Sequence, residues 1–159
     1  MYKIYCDMDG VLTDFDSQFK RYTGVSPDTY DKSHSVSEFW AEVEKAGLAY
    51  WVGMEWMPEG KKLWNFIKKY DVEILSAPSR SKLSVIGKQM WVKTMLKPKP
   101  KLNLVRASEK QKFANSTSIL IDDKVENINQ WVSAGGIGIL ANRDNIDSVI
   151  QKLKKYVEQ

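Results

Sequence analysis

The chain has 159 residues, 43% of them hydrophobic and 28% charged, enough for one globular domain with a substantial core and too short for two full domains. A single cysteine excludes an internal disulfide and a multi-cysteine zinc site, and no stretch reaches the roughly 18 apolar residues of a membrane span. The net charge of +4 gathers in Lys97-Pro98-Lys99-Pro100-Lys101 and Lys152-Leu153-Lys154-Lys155, without the interleaved aromatics that stack bases, so the sequence predicts solvated surface rather than a nucleic-acid partner.

In chain order, Tyr2-Lys3-Ile4-Tyr5-Cys6 reads as a first strand with Cys6 a buried apolar thiol. Charges at Lys3, Asp7 and Asp9 stand where a secretory signal needs an uncharged run, so the expected location is cytoplasmic. The strand runs straight into Asp7-Met8-Asp9-Gly10-Val11-Leu12-Thr13-Asp14, in which Asp14 is placed to cap a helix starting near Phe15. The interval before the next strand is far longer than one crossover needs, which predicts a helical insertion over about residues 15–70. Its aromatics suit a small core of their own, and His34, the only histidine, falls in a polar loop.

Helical spacing over Glu59 to Lys69 leads into the strand Val72–Leu75, ended by Ser76-Ala77-Pro78-Ser79. A helix over Ser81 to Leu96 and a strand over Leu102–Val105 follow. The strand Ser118–Ile121 is closed by Asp122-Asp123-Lys124, and a helix over Val125–Ala134, a strand over Ile137–Leu140 and a helix over Asn145–Val157 complete the chain. Such alternation predicts an α/β fold, a Rossmann-like parallel sheet flanked by helices.

In a parallel sheet the carboxyl ends of the strands share one edge, so Asp7, Asp9, Ser76, Asp122 and Asp123 are expected to converge there. Carboxylates crowded together repel unless a cation or a proton compensates, and an all-oxygen donor set suits Mg²⁺. Hydroxyls and acids after three separate strands point to a shared site more than any one of them does alone.

The stretch Asp7-Met8-Asp9-Gly10-Val11-Leu12-Thr13-Asp14-Phe15 resembles the first motif of the haloacid dehalogenase superfamily of phosphotransferases, and within it that of the 5′(3′)-deoxyribonucleotidases. Ile74-Leu75-Ser76-Ala77-Pro78 is similar to the second motif, with Ser-Ala-Pro in place of the usual Thr-Ser-Pro. Gly87-Lys88-Gln89-Met90-Trp91-Val92 resembles a segment that makes Lys88 the third-motif lysine, and Leu120-Ile121-Asp122-Asp123-Lys124 resembles the fourth motif. Arg106 falls where the family tends to place a phosphate-facing arginine.

The resemblance implies that residues 1–159 form one domain with a helical cap inserted after the first strand. It implies a magnesium-dependent phosphomonoesterase acting on a small phosphate monoester, a 5′- or 3′-deoxyribonucleoside monophosphate. Asp7 is then the nucleophile and Asp9 the acid and base. Mg²⁺ is held by Asp7, the Asp9 carbonyl and Asp123, with Asp122 acting through water or from behind. Ser76, the amide of Ala77, Lys88 and Arg106 face the phosphate, and Trp40, Trp51 and Trp56 are the candidates for stacking on a base. The alternatives are a phosphatase acting on a sugar phosphate or a nucleic acid 3′-phosphate, and a non-catalytic phosphate-binding module.

Overall fold

The computed structural model describes all 159 residues. Five parallel strands, β1 (Lys3–Cys6), β2 (Val72–Ser76), β3 (Lys101–Leu104), β4 (Ser118–Asp122) and β5 (Ile137–Leu140), form one sheet in the order β3-β2-β1-β4-β5. β1 therefore lies at the centre, with Tyr5 opposite Glu73 on one side and Leu120 on the other. The expected α/β architecture is present, with strand positions within a residue or so of those read from the pattern of apolar runs.

Successive side chains on a strand point to opposite faces, and the sheet sorts its core accordingly. Ile4, Cys6, Ile74, Ile119 and Ile121 belong to the larger core, which also takes Leu63 and Ile67 of α5 (Gly60–Ile67), Trp91 and Val92 of α6 (Lys82–Met95), and Val149 and Leu153 of α8 (Ile146–Val157). Tyr5, Leu75 and Leu120 face the other way onto Trp131 of α7 (Val125–Ser133), and Phe113 closes that side against the Tyr5 ring at 5.5 Å. The Cys6 thiol is completely buried, and burial pushes its pKa well up, so it packs as a small apolar group.

The interval between β1 and β2 contains α1 (Phe15–Thr23), α2 (Pro27–Asp31), α3 (Val36–Ala46) and α4 (Leu48–Val52) before α5. Of the 15–70 stretch, α1 to α4 form the excursion, whereas α5 packs beside α8 as part of the helical layer on the sheet. Local signals set its corners. Asp14 caps α1 by accepting from the Ser17 amide, Ser26 caps α2 ahead of Pro27, and Ser35 with Glu38 makes a capping box for α3. The aromatics pack on one another, with Phe19 and Phe39 stacked at 4.3 Å and the Phe15 ring edge-on to Tyr50 at 5.2 Å. His34 is exposed and stacks on Tyr30. The excursion is anchored to the sheet layer where α4 meets α6: a β-carbon on Gly87 would lie 2.2 Å from Cβ of Trp51, so only glycine permits that approach.

No helix is long and apolar enough to cross a membrane.

Candidate active site

Asp7 follows β1 directly, and its amide donates to the Ile121 carbonyl at 2.9 Å, so the chain leaves the sheet beside β4. Asp122 ends β4 and Ser76 ends β2. The strand ends expected to converge do so, at the centre of the carboxyl edge where β1 lies between β2 and β4.

One oxygen from each of Asp7, Asp122 and Asp123 lies within 4.8 Å of the other two. The three acids are not equivalent. Asp122 is fully buried and its carboxylate is saturated: Oδ1 accepts from the Lys124 amide at 2.9 Å, Oδ2 from Lys110 Nζ at 2.8 Å, and Asn127 Nδ2 donates to both oxygens. Asp123 is the opposite case, because its Oδ1 is buried with no hydrogen-bond partner. A buried orphan oxygen beside two more carboxylates is the donor chemistry of a hard divalent cation, so the residues fit Mg²⁺; Asp123 has an oxygen free to hold it, whereas the Asp122 oxygens are already taken. Asp9, whose carbonyl is the further oxygen expected at the site, opens a tight turn in which the Gly10 amide donates to the Thr13 carbonyl at 2.9 Å. Gly10 has a φ of 85°, and a β-carbon there would lie 2.1 Å from Oδ2 of Asp123, so the first motif and the Asp123 carboxylate touch only because residue 10 lacks a side chain.

The electrostatics follow from crowding. Burial raises the Asp7 pKa well above the usual carboxylate range; Lys110 pulls it down, and the charges of Asp122, Asp123 and Asp9 push it up again. Asp123 is pushed up to about 6, first by burial and then by Asp122. Lys110 is the counterweight. Its ammonium donates to Asp7 Oδ1 at 3.1 Å and to Asp122 Oδ2 at 2.8 Å, and although burial alone lowers its pKa, these two carboxylates raise it above that of an ordinary lysine.

Lys110 is the residue that the sequence reading missed. It belongs to a 3₁₀ helix, Ala107–Phe113, a polar run that looks like solvated surface. With three residues per turn, Ala107, Lys110 and Phe113 fall on one face and Arg106, Glu109 and Lys112 on another. The first face is turned inward: Ala107 and Lys110 line the cavity at the site and Phe113 packs on Tyr5. The flanking alanine and phenylalanine at three-residue spacing were the available signal. The same geometry corrects the expectation for Arg106, which is exposed at the start of the 3₁₀ helix and does not line the cavity.

Lys88 is brought to the site, though not to Asp7. Its fully buried ammonium donates to Asp9 Oδ2 at 2.9 Å and Ser76 Oγ at 3.0 Å, and it lies 5.4 Å from the centre of the Trp51 ring. Thr13 Oγ1 donates to the other Asp9 oxygen at 2.7 Å, so Asp9 is held from two sides. The lysine on Asp7 is therefore Lys110, and Lys88 joins Asp9 to the end of β2.

A cavity of about 580 Å³ opens over these groups, lined at its floor by Asp7, Asp9, Ser76, Ala77, Lys110 and Asp123. That volume lies within the range of small-molecule sites. Its outer wall comes from the excursion and includes Trp40, the only one of the three tryptophans there. Trp51 is 2% exposed beneath Lys88, and the half-buried Trp56 packs edge-on against Trp91 at 5.1 Å; neither lines the cavity.

No protein-family model matches the chain, and no curated protein matches it in sequence. Solved structures do match in fold. A haloacid dehalogenase-like family hydrolase from Xanthomonas campestris superposes with a TM-score of 0.60 at 10% identity, over 98% of this chain and 92% of that one. A HAD-superfamily hydrolase from Ehrlichia chaffeensis gives 0.58 at 10% identity over 99% of both chains. CbbY from Rhodobacter sphaeroides, solved in complex with phosphate, gives 0.58 at 11% identity over 89% and 87%. The parallel five-stranded sheet and its flanking helices are thus the fold of the haloacid dehalogenase-like hydrolases.

Proposed function

We propose that the protein is a Mg²⁺-dependent phosphomonoesterase acting on small phosphate esters, with 5′- or 3′-deoxyribonucleoside monophosphates as the substrate class. The observation that carries this reading is the pairing of two carboxylates in different settings at one strand end: Asp7 buried against Lys110, and Asp9 gripped by Thr13 and Lys88.

In this reading a carboxylate oxygen of Asp7 attacks phosphorus, forming an O–P bond as the bond to the leaving oxygen breaks. Asp9 gives its proton to that oxygen, then takes one from the water that hydrolyses the aspartyl-phosphate, so Asp7 is regenerated and the products are an alcohol and inorganic phosphate. Lys110 keeps Asp7 oriented and offsets the charge gathering beside it, and Ser76 with the Ala77 amide supplies donors to the phosphoryl oxygens. Lys88, on Asp9 and Ser76 together, couples the acid to that end of the pocket. Mg²⁺ held by Asp7, the Asp9 carbonyl and Asp123 supplies charge neutralisation and orientation for the phosphoryl group. The excursion α1 to α4 acts as the cap, with Trp40 the ring available to a base.

The test is phosphate release from a panel of monoesters, with and without Mg²⁺, using Asp7→Asn as control. Release that needs Mg²⁺ and Asp7 supports the reading, and release that survives either removal rejects the mechanism.

A further inference from the structure

The outer wall of the cavity has a chemistry that the phosphate end does not need. Asp16 of α1 and Asp28 and Asp31 of α2 line it beside the indole of Trp40, and none of the three forms an ion pair within the chain. From the excursion, then, the cavity receives carboxylate acceptors and aromatic faces. The lining also includes Lys124, Asn127, Asn142 and Arg143; Arg143 is 3.8 Å from Asp14 Oδ1, and Lys124, which forms no ion pair, is the one free cation near Asp16. Carboxylates outnumber cations around the whole cavity.

This is an unusual vessel for an anion. A phosphate monoester brings two negative charges to the floor, and a further anionic or acceptor-only group at the mouth would meet the exposed carboxylates of Asp16, Asp28 and Asp31. A donor-rich or cationic group meets the reverse situation: carboxylates accept its N–H bonds and the Trp40 face attracts its charge. Resting on the phosphomonoesterase reading above, we propose that the cap wall selects phosphate monoesters whose leaving group carries an amino group. The mutual influence of the wall charges agrees with this. Asp16 is held above the usual carboxylate range by burial first, then by Asp14 and Asp28, with Lys124 and Arg143 opposing, so the wall gains when a positive group enters.

The amine has two chemical sources, an alkylammonium and the exocyclic amine of a nucleobase, and matched substrate pairs separate them. 2-Aminoethyl phosphate against 2-hydroxyethyl phosphate reports the first, and dCMP against dUMP reports the second. The wild-type protein is expected to favour the amino member of at least one pair by about tenfold in kcat/KM, the scale of a charge-assisted hydrogen bond. In the Asp28→Asn/Asp31→Asn double variant that ratio is expected to fall toward one. Salt gives a second measure on the unmodified protein, since an exposed carboxylate wall should lose its preference as ionic strength rises. Equal rates within both pairs, from a protein that hydrolyses p-nitrophenyl phosphate, overturn the inference and leave the phosphatase reading intact. A preference unchanged in the double variant overturns it too, because other groups then read the amine. Turnover of no ester at all removes the phosphatase reading and this inference with it.

Discussion

Lys110 and Asp7, 103 positions apart in sequence, are joined by a buried ion pair at 3.1 Å, and the same ammonium reaches Asp122 at 2.8 Å. One cation thus ties the end of β1 to the end of β4 through a 3₁₀ helix. Removing one partner of such a buried network leaves the other charges uncompensated.

Lys110→Met, which keeps the length of the side chain and removes the charge, is therefore expected to destabilise the protein by about 3–5 kcal/mol and to lower kcat/KM on p-nitrophenyl phosphate about 100-fold or more. Urea unfolding and steady-state kinetics check both. Lys112→Met, on the exposed face of the same helix, should change stability by no more than about 0.5 kcal/mol.

Asp7→Asn is expected to abolish phosphate release, because an amide is a poor nucleophile, while leaving the far-ultraviolet circular dichroism unchanged. Its Tm without metal should match or exceed that of the wild type at pH 8, since a carboxylate whose pKa burial raises costs free energy when ionised. Wild-type turnover by the purified variant would remove the covalent route.

The raised Asp123 pKa gives a signed pH effect. With the folded value near 6 and the unfolded value near 3.8, the folded state holds more proton between those limits. The contribution of this group to stability therefore falls as pH rises from about 4 to about 6 and is fully lost above. Adding Mg²⁺ reverses the penalty where Asp123 is ionised, so the ion should raise Tm at pH 8 and have little effect at pH 5. Thermal melts with Mg²⁺ and with chelator at the two pH values decide the point, and an equal rise at both would exclude Asp123 as a ligand.

The tryptophans should separate by role. Trp51→Ala opens a hole under Lys88 and against Gly87, and is expected to cost about 3–5 kcal/mol and to reduce all activity together. Trp40 is 40% exposed, so Trp40→Ala should shift Tm little while raising KM for a nucleotide more than KM for p-nitrophenyl phosphate. Parallel losses on both substrates at Trp40 would show that its ring only supports the excursion.

The sheet and the three carboxylates at its edge were legible in the sequence because both depend on local pattern. Short apolar runs followed at once by Asp7, Ser76 or Asp122 fix strand, strand end and side of the sheet together, since parallel strands share one carboxyl edge. Helix caps at Asp14, Ser26 and Ser35 are equally local, each set by one side chain and the amide three residues on. The inward lysine was decided by tertiary structure. The Lys88 motif and the spacing of Ala107, Lys110 and Phe113 are only faint signs of burial, and which carboxylate each lysine meets depends on how α6 and the 3₁₀ helix dock against the sheet. A period of three residues turns Lys110 toward Asp7 and Asp122 and leaves Arg106 in solvent. Likewise, spacing alone does not distinguish Trp40 from Trp51. The approach of α4 to α6 at Gly87 buries one ring, and the open side of the excursion leaves the other facing the cavity. Local propensity depends on neighbours in sequence, whereas the charge partner of a buried side chain depends on packing between distant segments, and only the folded chain brings those together.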